Sequence, residues 1–371
     1  MTDPGHLKVP KGLAGISITD TRISKSAADG TLIYRGYPIS EIAANAGFEE
    51  TAYLILHGSL PSRNQLESFI AGLRERRNVP STIIEMMREL GDEAHPIDVV
   101  RTAASALGSV DEEVSLVGRQ MSLESKMSFL AANCHRVPRG ERVRGPRGGL
   151  GFSDSLLHML TRREASDYER WAFERVLILY MEHDLNASSF TVRVVASTLA
   201  DPYAAASAGL AALKGPLHGG ANEAAMEMLL KVGDPSKASE FLEKAFKDGK
   251  KIMGFGHRIY KEFDPRARLC KEYLREIGKR SSDDTLFRLC DAIEREMWER
   301  KKIAANLDFY AAPIFYSLGI EVPLYTPIFA ASRIFGWMAH YNEQIEENKL
   351  IRPDSTYLGR SDLKYVPIGK R

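Results

Sequence analysis

Four stretches of this chain set acid, base and anion-binding side chains where local structure would bring them to bear. In "GFGHRIYKEFDPR", residues 254 to 266, His257 follows two glycines and Arg266 follows an Asp-Pro pair. Asp264 and Pro265 predict a helix start, because Asp accepts from exposed amides and Pro suits the first helical position. Arg266 then projects from a first turn that already favours anions, where a guanidinium can grip a carboxylate through two parallel bonds. Gly254 and Gly256 let the loop before it lie close against a flat ligand. In "LKGPLHGGANEAAMEMLL" His218 precedes a Gly-Gly turn and a helix from about Ala221. A histidine so near a helix N-terminus stays neutral and can donate to a developing oxyanion. In "EHDLNASSFTVRV" a long helix ends at His183, and the small residues from Asn186 onward leave room for a ligand. In "AANLDFYAAPIFYSLG" Asp308 is the only charge between Lys302 and Glu321. Burial there raises a carboxyl pKa toward the range of a general base. Each stretch also has a plainer alternative: a solvated arginine, a capping or core histidine, an aspartate that only satisfies a helix end. The three histidines lack the short paired spacing of zinc ligands, so no metal is expected.

The elements that must position these groups are helical. Apolar residues recur at spacings of three, four and seven in "STIIEMMREL", through Ile83, Met86, Met87 and Leu90. The same period carries Leu286, Leu289, Cys290, Ile293 and Met297 in "DDTLFRLCDAIEREMW" and recurs in "YERWAFERVLILYM" and "PIFAASRIFGWMAHYNEQI". Only "GISITDTRIS" and "TLIYRG", around "KSAADG", alternate as a short N-terminal β-hairpin would. The segment from 136 to 151, with five arginines among glycines, reads as a loop. It is either solvated or in contact with phosphate, and no aromatic platforms accompany it for nucleic acid. With 371 residues and a hydrophobic fraction of 44%, the chain can fill one large or two ordinary cores. Its 50 basic against 49 acidic residues give a net charge of +1, which recommends neither nucleic acid nor an anionic membrane as partner. Three cysteines without CxxC spacing, no apolar signal core and no run of spanning length point to a cytoplasmic protein.

Taken in order, these motifs resemble the citrate synthase family. The likeness is carried by "GFGHRIYKEFDPR", "GPLHGGANE", "HDLNASSFT", "ANLDFYAAPIF" and "RPDSTYLG", and extends from "GLAGISITDTRIS" to "FAASRIFGWMAHYNEQ". The chain's short N-terminus is similar to that of the archaeal and Gram-positive type. The resemblance implies a mainly α, two-domain homodimer. Its large domain would comprise residues 1–217 and 314–371, and a small domain, 218–313, would close over the active site. It also implies an acyltransferase that condenses acetyl-CoA with oxaloacetate and water to give citrate and CoA. Asp308 would take the methyl proton, His218 would donate to the enol or enolate, and His257 would polarise and protonate the keto group. His183, Asn186, Arg266 and Arg333 would bind oxaloacetate together with Arg352, which reaches in from the other subunit. Lys251, Met253, Gly254, Gly256, Arg258, Lys261 and Lys302 would hold the acyl-CoA, with no permanently bound cofactor. The family often has Arg where Lys261 stands, and often a Gly where "MLTRREAS" has none. A 2-methylcitrate synthase acting on propionyl-CoA would share every catalytic residue. A helical polyanion-binding protein without activity would explain the arginines but not Asp308.

Overall fold

The computed structural model describes residues 9–13 and 15–371. Residues 1–8, which contribute to the reading of the N-terminus, and Ala14 lie outside the described residues. Sixteen α-helices run through the described chain beside one small antiparallel sheet. The longest helix, Tyr325–Glu346, is buried over nearly its whole length. Its sequence offers no polar stripe before the last turns, so it can only sit at a centre, and it packs against the helices Phe48–His57, Leu116–Asn133, Asp167–Met181 and Ala187–Ala196. Gly336 is what lets the chain after Asp167–Met181 come so close. A Cβ at that position would overlap the Met181 carbonyl and the Glu182 carboxylate.

A second group of helices, contiguous in sequence, packs chiefly on itself: Ala221–Val232, Ala238–Lys247, Pro265–Ser281, Thr285–Lys301 and Leu307–Ser317. Pro265–Ser281 and Leu307–Ser317 also reach Asp167–Met181, and the functional cleft opens where the two groups meet. Local signals placed these helices well. Asp264 caps Pro265–Ser281 by accepting from Arg266 N–H at 3.0 Å. Thr285–Lys301 buries Leu289, Cys290, Ile293 and Met297 as its period predicts. Ser81–Glu89 buries Ile83 and Met87, whereas Leu90 lies past its end and is exposed.

The expected hairpin is shorter, shifted and joined by a third strand. Ser24–Ser26 pairs with Leu32–Tyr34, which pairs with Tyr37–Pro38, in the register Ser24 to Tyr34 and Ile33 to Pro38. Lys25 and Ser26, expected in the turn, belong to the first strand, and Ala27 to Gly30 makes the turn. Residues 16 to 20 alternate in sequence but have no partner strand, and Ile16 and Ile18 face the cleft instead. The arginine-rich segment is a loop, yet Arg144 is fastened in place. Its backbone exchanges bonds of 2.9 and 3.0 Å with Asn133, and its guanidinium donates to the Thr161 carbonyl. All three cysteines are buried and unpaired. Among the described residues no helix is long and apolar enough to cross a membrane.

Candidate active site

The cleft between the two helix groups has a volume of about 950 Å³. His183, Asn186, His218, His257, Arg266, Asp308 and Arg333 all line it, from six separate chain segments. Met253, Gly254, Gly256, Lys251 and Arg258 line its outer part.

Asp308 stands in the first turn of Leu307–Ser317, but Asn306 is the cap, accepting from Asp308 N–H at 3.1 Å. The aspartate carboxyl is therefore free for other use. Its Oδ1 accepts from Tyr180 Oη–H at 2.9 Å. Burial pushes its pKa up to about 6, against the opposing effects of the Tyr180 bond and the Arg266 charge.

The histidines facing it are neutral, and backbone donors fix which nitrogen carries the proton. His257 Nδ1 accepts from the N–H groups of Ile259 at 3.1 Å and Tyr260 at 3.3 Å. An amide can only donate, so the ring proton sits on Nε2. His218 Nε2 accepts from Ser188 N–H at 3.3 Å and lies 2.8 Å from Ser188 Oγ, which puts its proton on Nδ1. Burial pulls both rings down to about 4, with Arg266 adding to the effect on His257 and Arg333 to that on His218. Two uncharged donors thus face the cleft at neutral pH. His183 is more deeply buried, and burial holds its pKa well below the usual range. Its Nε2 lies 2.9 Å from Tyr260 Oη, and its ring centroid 5.0 Å from that of His257. Glu182, next to it, is anchored by Ser24 Oγ at 3.0 Å and His340 Nε2 at 3.1 Å. Asn186 caps Ala187–Ala196 and accepts from Ser188 N–H and Ser189 N–H, both at 3.1 Å, so it sets Ser188 against His218.

The two buried arginines differ. Arg266 donates from Nε and Nη2 to both oxygens of Asp264, at 3.0 and 2.8 Å. The two-bond grip expected for a ligand is therefore already taken by the helix cap, and Nη1 is what remains for the cleft. Asp264 also accepts from Leu307 N–H at 3.2 Å, tying Arg266 to the helix that carries Asp308. Among the described residues Arg333 bonds only to the Tyr180 carbonyl, Nε to O at 2.7 Å, and its guanidinium lies over the Phe329 ring at 4.7 Å. No carboxylate of the described residues pairs with it. Burial lowers its pKa to about 10. A buried, unpaired guanidinium is costly, which marks it as a seat for an anion.

The glycine loop is zipped to the entry of the Leu307–Ser317 helix. Gly256 N–H donates to Ala304 O at 2.9 Å, Asn306 N–H to Gly254 O at 2.9 Å, and Asn306 Nδ2 to Gly256 O at 3.0 Å. Gly254 needs its φ of +79° and its missing side chain, since a Cβ would come within 2.7 Å of Phe309 Cβ.

Three expected residues lie elsewhere. Lys261 is exposed and turns its ammonium back to the Arg258 carbonyl at 3.3 Å. Lys302 ends its helix in the left-handed region and sets its ammonium 5.5 Å from the Trp298 ring centroid. Neither lines the cleft, whereas Lys250 and Lys301, which sequence reasoning passed over, do. Arg352 is exposed, paired with Asp354 at 2.9 Å, and outside the cleft of its own chain. Tyr180, Tyr260, Ser188 and Asn306 were also missed. Asn306 had a local signal, a capping residue two positions before Asp308, and Ser188 lies in the small-residue run already read as room for a ligand, but the two tyrosines had none. Among the described residues no group of three or more His, Cys, Asp or Glu is placed to hold a metal ion.

Comparison with known proteins agrees with this geometry. The family model described as "Citrate synthase, C-terminal domain" matches residues 12–354. "Citrate synthase 2" of Bacillus subtilis is 40% identical over 97% of this chain and 99% of its own length. The 2-methylcitrate synthase of Shewanella oneidensis is 39% identical over 97% of both chains. A citrate synthase of Thermoplasma acidophilum, solved as a ternary complex with carboxymethyl coenzyme A and oxaloacetate, superposes with a TM-score of 0.91. It shares 31% identity over 98% of this chain and all of the other. A family model that matches residues 12–354, and relatives 39–40% identical over 97% of the chain, establish that this chain, with its buried carboxylate, histidines and arginines in one cleft, belongs to the citrate synthase family.

Proposed function

We propose that this protein condenses acetyl-CoA with oxaloacetate and water to give citrate and CoA. The observation that carries the reading is the set of Asp308, neutral His218 and neutral His257 around one cleft that also holds Arg266 and Arg333. A methyl group beside a thioester is a weak acid. A carboxylate can deprotonate it only if a preorganised donor stabilises the charge that forms on the thioester oxygen, an effect of ~3 to 4 kcal/mol per donor. Asp308 takes the proton, and His218 Nδ1–H donates to that oxygen. The methyl carbon attacks the keto carbon of oxaloacetate, and His257 Nε2–H polarises and protonates the keto oxygen, giving citryl-CoA. Water then cleaves the thioester to citrate and CoA. His183, Asn186, Arg333 and the open side of Arg266 orient the dicarboxylate, so that proximity contributes as well as charge. Lys250, Lys251, Arg258 and Lys301 form a basic rim suited to the cofactor's phosphates, beside the backbone of Met253, Gly254 and Gly256. The helices between His218 and Pro313 form the part that closes over the substrates. No metal or bound cofactor enters this chemistry. A cytoplasmic setting is supported by three buried, unpaired thiols.

A homodimer completes the site. Residues beyond Ile351 are exposed in the single chain although they include Tyr357, Leu358, Tyr365 and Ile368, and this tail would carry Arg352 into the partner's cleft. Mixing an Arg352→Ala protein with Asp308→Asn should restore one intact site per heterodimer. Verified heterodimers without activity would overturn the assignment.

A second reading, 2-methylcitrate synthesis, keeps every step and adds one methylene to the acyl group. Such a difference is worth only ~1 to 3 kcal/mol in a pocket. Thiol release in the presence of oxaloacetate decides between them. We expect a higher kcat/KM with acetyl-CoA than with propionyl-CoA, and the reverse order would assign the second reaction.

A further inference from the structure

Tyr180 ends the last full turn of Asp167–Met181 and is buried. It has three attachments at the cleft. Its hydroxyl donates to Asp308 Oδ1 at 2.9 Å. Its carbonyl accepts from Arg333 Nε at 2.7 Å. Its ring packs on Phe329 at 4.4 Å between centroids, and Phe329 in turn lies under the Arg333 guanidinium. Asn222 borders the phenol, and its buried Nδ2 has no hydrogen bond among the described residues. No hydrogen bond from the described residues reaches Asp308 Oδ2.

We propose, on the reading that Asp308 is the base, that Tyr180 is its positioning residue: the hydroxyl pins Oδ1 and reserves Oδ2 for the substrate proton, while the carbonyl aligns Arg333 for the other substrate. A carboxylate free to rotate about its Cβ–Cγ bond presents either oxygen in many directions. One pinned by a single donor presents the other along one direction. The phenol remains protonated, since burial first and the Asp308 charge second hold its pKa far above the usual value. The other charged or titratable groups around Asp308 are Arg266, Asp264 and Cys270 from the Pro265–Ser281 helix and its cap, Arg333 from Tyr325–Glu346, and the neutral His218 and His257 across the cleft. None of these is removed by a change at Tyr180, so a shift in the base after losing the hydroxyl is attributable to that one bond.

Tyr180→Phe keeps the ring and the backbone carbonyl. Two readouts are taken on the full-length protein. The first is the titration of the Asp308 carboxyl, followed by carbon NMR with labelled aspartate and assigned by its absence in Asp308→Asn. The second is the pH profile of kcat for thiol release. We expect the Asp308 midpoint and the acid limb of kcat to move up by roughly one pH unit, the plateau kcat to fall about 5- to 10-fold, and KM for oxaloacetate to stay within about twofold. An unmoved midpoint with an unmoved acid limb overturns the proposal. A wild-type protein inactive with either acyl-CoA would sink the proposed reaction, and the NMR titration would still decide whether Tyr180 governs the Asp308 carboxyl. Tyr180→Met, which also removes the hydroxyl and keeps the backbone carbonyl, supplies the second variant should Tyr180→Phe not fold. It should move the midpoint in the same direction, and no movement there also overturns the proposal.

Discussion

Asp308→Asn is expected to bind oxaloacetate as the wild type does and to lose condensation by about 10²- to 10⁴-fold, the range a positioned general base supplies. Calorimetry with oxaloacetate and thiol release with acetyl-CoA measure the two halves separately, and near-normal turnover would remove Asp308 from its role. The amide is isosteric and keeps an oxygen for Tyr180 Oη–H to reach, so the loss isolates the base. The same carboxyl carries a pH effect of definite sign. It titrates at about 6 in the folded protein against 3.8 in an ordinary setting. The folded state thus holds that proton more tightly than the unfolded chain, and protonation stabilises the fold as the pH falls through that interval. Above about pH 6 the ionised group is a cost of ~1 to 3 kcal/mol, taken at 1.36 kcal/mol per pKa unit. Asp308→Asn should therefore melt no lower than the wild type at pH 7.5. In the wild type, kcat should fall about tenfold per unit below pH 6 as the base is lost to its proton.

Arg333→Met should separate binding from folding. The arginine is buried with one bond, to the Tyr180 carbonyl, and without a carboxylate among the described residues. Its loss removes a desolvated cation from a dicarboxylate, at ~2 to 4 kcal/mol, so affinity for oxaloacetate should weaken about 30- to 1,000-fold. The fold should lose at most ~1 to 2 kcal/mol, because releasing a desolvated guanidinium offsets the lost hydrogen bond and the lost attraction to the buried Glu182. Calorimetry and thermal unfolding read the two effects, and affinity within threefold of wild type would show that Arg333 does not seat the substrate. The same change at Arg266 would not be informative. It would leave Asp264 buried and unpaired, so the fold and the site would fail together.

What could be read from the sequence was whatever a few neighbouring residues decide. Asp264 and Pro265 begin a helix because the cap and the first turn are adjacent in the chain, and Asp308 reads as a base because its sequence neighbours are apolar and it is in fact buried. Tertiary partners were illegible. Nothing near Tyr180 in the chain announces a carboxylate 128 positions away, and nothing near Asp264 announces the Leu307 amide that it also accepts from. The β alternation over residues 16 to 20 failed for the same reason, since a strand exists only where another strand accepts its bonds. The choice between Lys301 and Lys302 turned on a single residue. Lys301 is the last of its helix and faces the cleft, while Lys302 takes a φ of +54° and turns away. Helical periodicity has no power to place an end that finely.

The bonds that join residues 254–256 to residues 304–306 have a mechanical meaning. His257 follows one side of that short ladder and Asp308 the other, so both are mounted on a single splint. A hinge anywhere else in the molecule can swing the splint toward Tyr180, His183 and Arg333 or away from them, but it leaves the His257 to Asp308 spacing alone. The spacing of His257 and Asp308 is thus set by the ladder that forms when the chain folds.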